Sequence, residues 1–399
     1  MKNTWSLTKR IIAILALVAA VFAATLFLQD RVFYRADRNQ LSLGGFYLED
    51  DQSLDVVLLG SSEVYSGYYA GLAYELEGFT SYPYSYQSNP VTLWPYELRE
   101  ILKHQSPKVL VVEANGAVYD RKQLYKSGHL RKLANNMPFS RNKLELIRRY
   151  GTEGTLSYLL PIIKYHGMYF EDEPEKPEGE DGSRKPVPGG ALDNRLRLQD
   201  KPLMEERGYS LLKGCLTHTQ RRKTKPDYDL TTVPQVTDLD PDAEAALNEF
   251  LDVCDASGIE HILFVRFPHQ VTAERTLKSY QRYNRTAEIV RARGYEYVDF
   301  TEHWDEIGLQ KREDFFEVDH LNAFGAEKFT KYLSRYLAEK YDLLPSELTG
   351  AQEKEWEESA AFTRQFLKYA KSEIEHFSGA DRELEERAEI VRELSENMV

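Results

Sequence analysis

Near the end of the globular part of the chain runs Phe315-Phe316-Glu317-Val318-Asp319-His320-Leu321-Asn322, with Gly325 following. A histidine can take a proton from a hydroxyl when a carboxylate fixes its tautomer and supports the imidazolium that forms. Glu317 has the spacing to fold back onto the His320 ring from a loop. Asp319 is adjacent in sequence, a position from which a side chain usually points elsewhere. Far upstream, Val56-Val57-Leu58-Leu59-Gly60-Ser61-Ser62 is an apolar run that enters a tight turn and ends in serine. A serine hydroxyl is a weak nucleophile until a base removes its proton. Ser62, His320 and Glu317 or Asp319 are therefore the parts of a nucleophilic acyl-transfer site. Each piece alone has a plainer reading. Ser61 or Ser62 can simply cap a helix, and Asp319 can be a favourable charge at a helix start with His320 on the surface.

The elements that must position these residues are visible as alternating patterns. Residues 54–59, 108–112, 262–267 and 295–300 are short runs of strand character. Helix-like segments lie between and after them, at 91–103, 242–256, 273–293 and 326–337. Strands apolar on both faces and separated by helices predict a mostly parallel sheet covered on both sides, a three-layer α/β/α sandwich. Functional groups in such sheets sit at the carboxyl ends of the strands. Ser62 falls at such a place. Gly60 lets the turn tighten and a substrate approach the backbone, and amides at the start of the next helix can hold an oxyanion.

This α/β domain is expected over residues 45–340. Residues 121–237 break its rhythm and read as an insertion or lid, with a mobile Glu-, Pro- and Gly-rich loop at 171–190. Residues 341–399 read as a charged helical tail. At the other end, residues 11–28 are uncharged and apolar. Eighteen residues of helix span about 27 Å, close to a hydrocarbon core. Lys2, Lys9 and Arg10 precede the run, so the positive-inside rule keeps the N-terminus cytoplasmic and the body of the chain extracytoplasmic. A cleaved signal peptide is the rival reading; either way the body lies across the membrane.

Lys and Arg total 51 against 64 Asp and Glu, a net charge of −13, which argues against a nucleic-acid partner. Cys215 and Cys254 make no disulfide framework, although a single bridge between them is chemically allowed outside the cell. No His-Glu-x-x-His or Cys/His spacing points to a metal, and no Gly-rich loop to a phosphate. Tyr65, Tyr68, Tyr69, Tyr82, Tyr84, Tyr86 and Tyr96 can stack on sugars beside a cleft, or pack inside. Arg266, near the end of a strand, can meet an anionic substrate or form a salt bridge.

These blocks resemble the SGNH/GDSL hydrolase superfamily. Gly60-Ser61-Ser62 is similar to its Gly-Asp-Ser block, with Ser in place of Asp. Glu317-Val318-Asp319-His320 is similar to its Asp-x-x-His block, with Glu in place of Asp. Glu113-Ala114-Asn115-Gly116 lines up with Gly-x-Asn-Asp, keeping only Asn115, which the resemblance makes an oxyanion donor. The segment Tyr86-Gln87-Ser88-Asn89 stands where the family brings a glycine and has none. Gln87, Gly60 and Arg266 join Asn115 as candidate oxyanion or substrate-binding residues. The resemblance covers roughly residues 54–118 and 243–338. Leu59-Gly60-Ser61-Ser62 and His320-Leu321-Asn322-Ala323-Phe324-Gly325 further resemble membrane-anchored bacterial members, similar to the teichoic-acid D-alanyl-transfer protein and to exopolysaccharide acetyltransferases.

The resemblance implies an SGNH/flavodoxin-like fold and an extracytoplasmic serine esterase or O-acyltransferase. Its partners would be a cell-envelope glycan or teichoic-type polymer and a membrane acyl-transfer protein, with no cofactor or metal. The departures from the family blocks keep a second expectation open, a non-catalytic envelope-binding or assembly module that retains the fold.

Overall fold

The computed structural model describes residues 6–31, 38–165, 211–219, 221, 235–271 and 274–376. Its strands are β1 (Val56–Gly60), β2 (Ser81–Ser85), β3 (Val109–Glu113), β4 (His261–Arg266) and β5 (Glu296–Asp299). The helices, in chain order, begin with α1 (Leu7–Arg31), α2 (Arg38–Phe46), α3 (Ser62–Gly67), α4 (Ala70–Glu77) and α5 (Trp94–His104). Next come α6 (Arg121–Leu124), α7 (Ser127–Asn136), α8 (Arg141–Tyr150), α9 (Thr155–Leu159) and α10 (Pro161–Tyr165). The last are α11 (Pro241–Asp255), α12 (Glu274–Ala292), α13 (Trp304–Ile307), α14 (Ala323–Lys340) and α15 (Gly350–His376). The chain divides into two compact units, one of residues 1–37 and 151–203, the other of 38–150 and 204–399.

The larger unit is an α/β domain. Its strands form one five-stranded sheet in the order β2-β1-β3-β4-β5, and every pairing is parallel. Helices flank this sheet. Val56 to Leu59 and Val109 to Val112 are buried throughout, as strands covered on both faces require. The strand order reverses direction between β1 and β3. Such a switch point opens a crevice at the carboxyl ends of the two strands. Gly60 closes β1 and Glu113 closes β3 at that crevice.

β2 has no counterpart in the sequence pattern. Its Ser-Tyr-Pro-Tyr-Ser run carries Pro83, which a central strand does not accept. β2 lies at the sheet edge, and Pro83 pairs opposite Leu58. The tyrosines around it are core residues. Tyr65, Tyr68, Tyr69, Tyr82, Tyr84, Tyr86 and Tyr96 are all buried, which favours the packing reading over a sugar platform. The Tyr82 hydroxyl donates to the Ser42 carbonyl of α2 at 2.8 Å, and the Phe46 ring meets the Tyr82 and Tyr84 rings edge-on.

Part of the span expected as an insertion is packed against the domain. The Leu216 amide donates to the Tyr65 carbonyl at 2.8 Å, and the Tyr69 and Thr217 hydroxyls are hydrogen-bonded. The expected mobile loop at 171–190 lies outside the described residues. Cys215 and Cys254 are separate buried thiols, so no bridge joins them. α15 packs on α4, where a Cβ on Gly71 would stand 2.6 Å from Thr363 Oγ1. In the smaller unit, the stretch Leu7–Phe27 of α1 has a mean hydropathy of 2.5, long and apolar enough to span a membrane. α9 and α10 of the same unit pack on each other.

Candidate active site

The turn after β1 is built by close approach. A Cβ on Gly60 would stand 2.6 Å from Val64 Cγ2 and 2.7 Å from Glu113 Cβ, so any side chain there would force the turn or its neighbours to shift. Glu113 then clamps the turn. Its buried carboxylate accepts from the Ser61 amide at 2.9 Å and from the Asn115 amide. Ser61 is the N-cap of α3, with extended backbone and its Oγ accepting from the Glu63 amide. Ser62 is the first residue of that helix, with 8% of its surface exposed. Its amide is one of the helix-start donors that have no intrahelical partner.

The histidine arrives on a loop that folds back on itself. Phe315 and Leu321 form an antiparallel bridge, and the Phe316 amide donates to the His320 carbonyl at 2.9 Å. Asn322 locks the loop at its exit. Its side chain caps α14 by accepting from the Phe324 amide and donates to the Glu313 carbonyl at 2.7 Å. The loop tip is tied to the segment after β4 by the Gln270 amide, which donates to the Val318 carbonyl at 2.8 Å. His218, from the packed part of the insertion, stacks on Phe316 and meets the His320 ring edge-on at 5.2 Å.

This folding puts His320 Nε2 2.7 Å from Ser62 Oγ. Glu317 Oε1 lies 2.8 Å from the other ring nitrogen, Nδ1, at ion-pair distance but out of hydrogen-bond alignment. Loose alignment of this kind is common in unliganded sites. With Nδ1 protonated toward Glu317, Nε2 is the acceptor and the Ser62 hydroxyl donates to it. Burial works against protonation of His320, but Glu317, Glu63 and Asp319 outweigh it and hold the ring above the ordinary histidine value. Asp319 points the other way. Its Oδ1 is 3.9 Å from Nδ1 of a second histidine, His269.

The remaining expected residues each have protein partners. The Asn115 side-chain amide donates to Glu63 Oε1 and lies 3.4 Å from Ser61 Oγ, so in this structure it braces the turn. The Gly60 carbonyl accepts from Asn89 Nδ2 at 3.1 Å. The Gln87 carbonyl and Oε1 accept from Lys132 at 3.0 and 3.1 Å. Arg266 is 1% exposed, 3.4 Å from Asp299 and stacked over the Tyr280 and Tyr283 rings, which favours the salt-bridge reading over contact with a substrate.

Sequence reasoning missed Glu63 and His269. Both are buried, and His269 Nε2 is hydrogen-bonded to Glu63 Oε2. His269 follows the carboxyl end of β4, so the strand-end rule that selected Ser62 also reaches it. Among the described residues, no His, Cys, Asp and Glu group could hold a metal ion. No protein-family model, curated protein or solved structure matches this chain.

Proposed function

We propose that the chain is a membrane-anchored serine esterase or O-acyltransferase of the SGNH type, with its parallel sheet as the middle layer of a three-layer sandwich. The observation that carries this reading is the Glu317–His320–Ser62 series, with 2.8 Å and 2.7 Å steps across the histidine. It stands at the strand-order reversal, where open α/β sheets place their chemistry.

In this reading Ser62 Oγ attacks the carbonyl carbon of an ester or activated acyl donor. His320 Nε2 takes the hydroxyl proton as the new C–O bond forms, and Glu317 supports the imidazolium. The Ser62 amide faces the developing oxyanion. His320 then returns the proton to the leaving oxygen, and the acyl group rests on Ser62 as an ester. Water or an envelope-polymer hydroxyl, deprotonated by the same histidine, releases it. Lys2, Lys9 and Arg10, ahead of the apolar run at 11–28, support an N-terminus in the cytoplasm and a catalytic domain outside. A cell-envelope glycan or teichoic-type polymer is the acceptor, and a donor made inside the cell reaches the site through a membrane acyl-transfer partner.

The test uses the full chain in detergent and a fluorophosphonate probe. Labelling is expected in the wild type and lost in Ser62→Ala; undiminished labelling of the variant would exclude the mechanism. Envelope acetyl and alanyl esters compared between wild-type and Ser62→Ala strains identify the acyl group. Unchanged esters together with absent labelling would leave a binding module.

A further inference from the structure

Behind the nucleophile turn lies a buried row of polar groups that the acyl transfer as described does not use. Arg266 donates from Nη2 to His269 Nδ1 at 3.2 Å. The other nitrogen of that ring meets Glu63 Oε2, and Glu63 Oε1 accepts from Asn115 Nδ2. The row runs from the end of β4 to the residue next to the nucleophile.

The hydrogen-bond pattern favours one charge state. A guanidinium only donates, so Nδ1 of His269 is an acceptor, and a neutral imidazole then carries its hydrogen on Nε2. His269 therefore donates to Glu63, as does Asn115. Glu63 accepts at both oxygens, which is the pattern of a carboxylate. A proton on Oε2 would break this row. Nε2 would have to accept, Nδ1 would have to carry the hydrogen, and the Arg266 bond would be lost. Burial and the Arg266 charge push His269 down to about 3, which keeps its ring neutral.

We propose that Glu63, held as a carboxylate by His269 and Asn115, is a positioning residue for acyl transfer that acts through His320, its charge supporting the imidazolium formed when Ser62 loses its proton. The proposal rests on the acyl-transfer reading of Ser62. Glu63 is 2% exposed and adjacent in sequence to the nucleophile, so its field is poorly screened. The charged and titratable groups around this pair are Arg266 and His269 on and after β4, and Glu113 on β3. Tyr119 after β3, Tyr283 on α12, Glu317 and Asp319 beside His320, and His218 from the insertion join them. Burial, then Asp319, pushes the Glu63 carboxyl well above the usual carboxylate range, so its charge is lost early on acidification.

The experiment follows the rate of fluorophosphonate labelling against pH in the full-length wild type and in Glu63→Gln, which keeps the shape and cannot carry the charge. The variant should label roughly tenfold or more slowly on the alkaline side. That gap should close on acidification, as the wild type takes up its own proton. His269→Asn, which strips Glu63 of a donor, should begin to lose rate at a higher pH than the wild type. A pH-independent ratio between wild type and Glu63→Gln, or no loss at all, overturns the proposal. Nitrogen-15 NMR of the wild type supplies a reading free of variants. An Nε2–H tautomer at His269 is expected, and an Nδ1–H tautomer or an imidazolium overturns the proposal. Labelling that persists in Ser62→Ala would sink the acyl-transfer reading itself. Ser62-dependent labelling with a pH-independent Glu63→Gln ratio would sink only the role of Glu63.

Discussion

Ser62 Oγ and His320 Nε2 stand 2.7 Å apart although 258 positions separate them in the chain. Groups that act as one proton-transfer unit lose their effect together. His320→Ala and Ser62→Ala should each lower the hydrolysis of an activated aryl ester by about a thousandfold or more. The double variant should be no slower than the worse single one. Multiplicative losses, measured by steady-state kinetics on the three variants, would show that the two residues act independently.

The two carboxylates flanking His320 should separate cleanly. Glu317 lies 2.8 Å from the ring, whereas Asp319 faces His269 at 3.9 Å. Glu317→Gln should cost about a hundredfold or more in kcat, and Asp319→Asn only a few-fold. The base must be neutral to accept a proton, so the wild-type rate rises with pH as His320 loses its proton. The surrounding carboxylates hold that ring above the ordinary 6.5, so the half-rise should lie above 6.5. Removing the charge of Glu317 weakens the hold on the proton and should move the rise to lower pH. A rise that stays in place in Glu317→Gln would remove Glu317 from the relay.

What the sequence disclosed follows from how strongly each residue was marked. β1, β3, β4 and β5 stood out because their apolar runs are bounded by turns and separated by helical periods. β2 did not, because Pro83 and the tyrosines around it look like loop until β1 is seen to pair with them. Ser62, Glu317 and His320 were legible because their local spacings match a known chemistry. Glu63 and His269 were not, since a buried pair 206 positions apart leaves no local pattern. Asn115 was picked out as the surviving residue of a family block after β3, and its bond to Glu63 could not be read from that block. Arg266 showed the same limit: a charge at a strand end suggested a ligand, and the tyrosines that enclose it come from α12.

Gly60→Ala tests whether the nucleophile turn depends on close strand approach. The added Cβ would meet Val64 Cγ2 at 2.6 Å and Glu113 Cβ at 2.7 Å. Val64 is the end of a side chain, but Glu113 Cβ is fixed to the neighbouring strand. Overpacking of this kind costs about 1–3 kcal/mol, readable as a lower urea midpoint. Because the Ser61 amide is held 2.9 Å from Glu113, the displacement should also slow Ser62 labelling. A variant with wild-type midpoint and labelling would show that the turn has slack.

Glu97 offers a test of the fold that is independent of catalysis. It is fully buried, with its oxygens accepting from the Tyr86 hydroxyl and from Asn89 Nδ2, both at 2.7 Å. Burial pushes its carboxyl from 4.5 up to about 8. A carboxyl whose folded value is raised binds its proton more tightly in the folded state. Its contribution is therefore fully present below the unfolded value near 4.5 and is lost as pH rises through about 8. Glu97→Gln removes the titration and keeps the shape, since its amide nitrogen can donate to the Tyr86 oxygen while its carbonyl accepts from Asn89. Urea midpoints measured across this window should show wild-type stability falling, relative to the variant, as pH rises. A difference that stays constant with pH would mean that Glu97 titrates as it does in the unfolded chain.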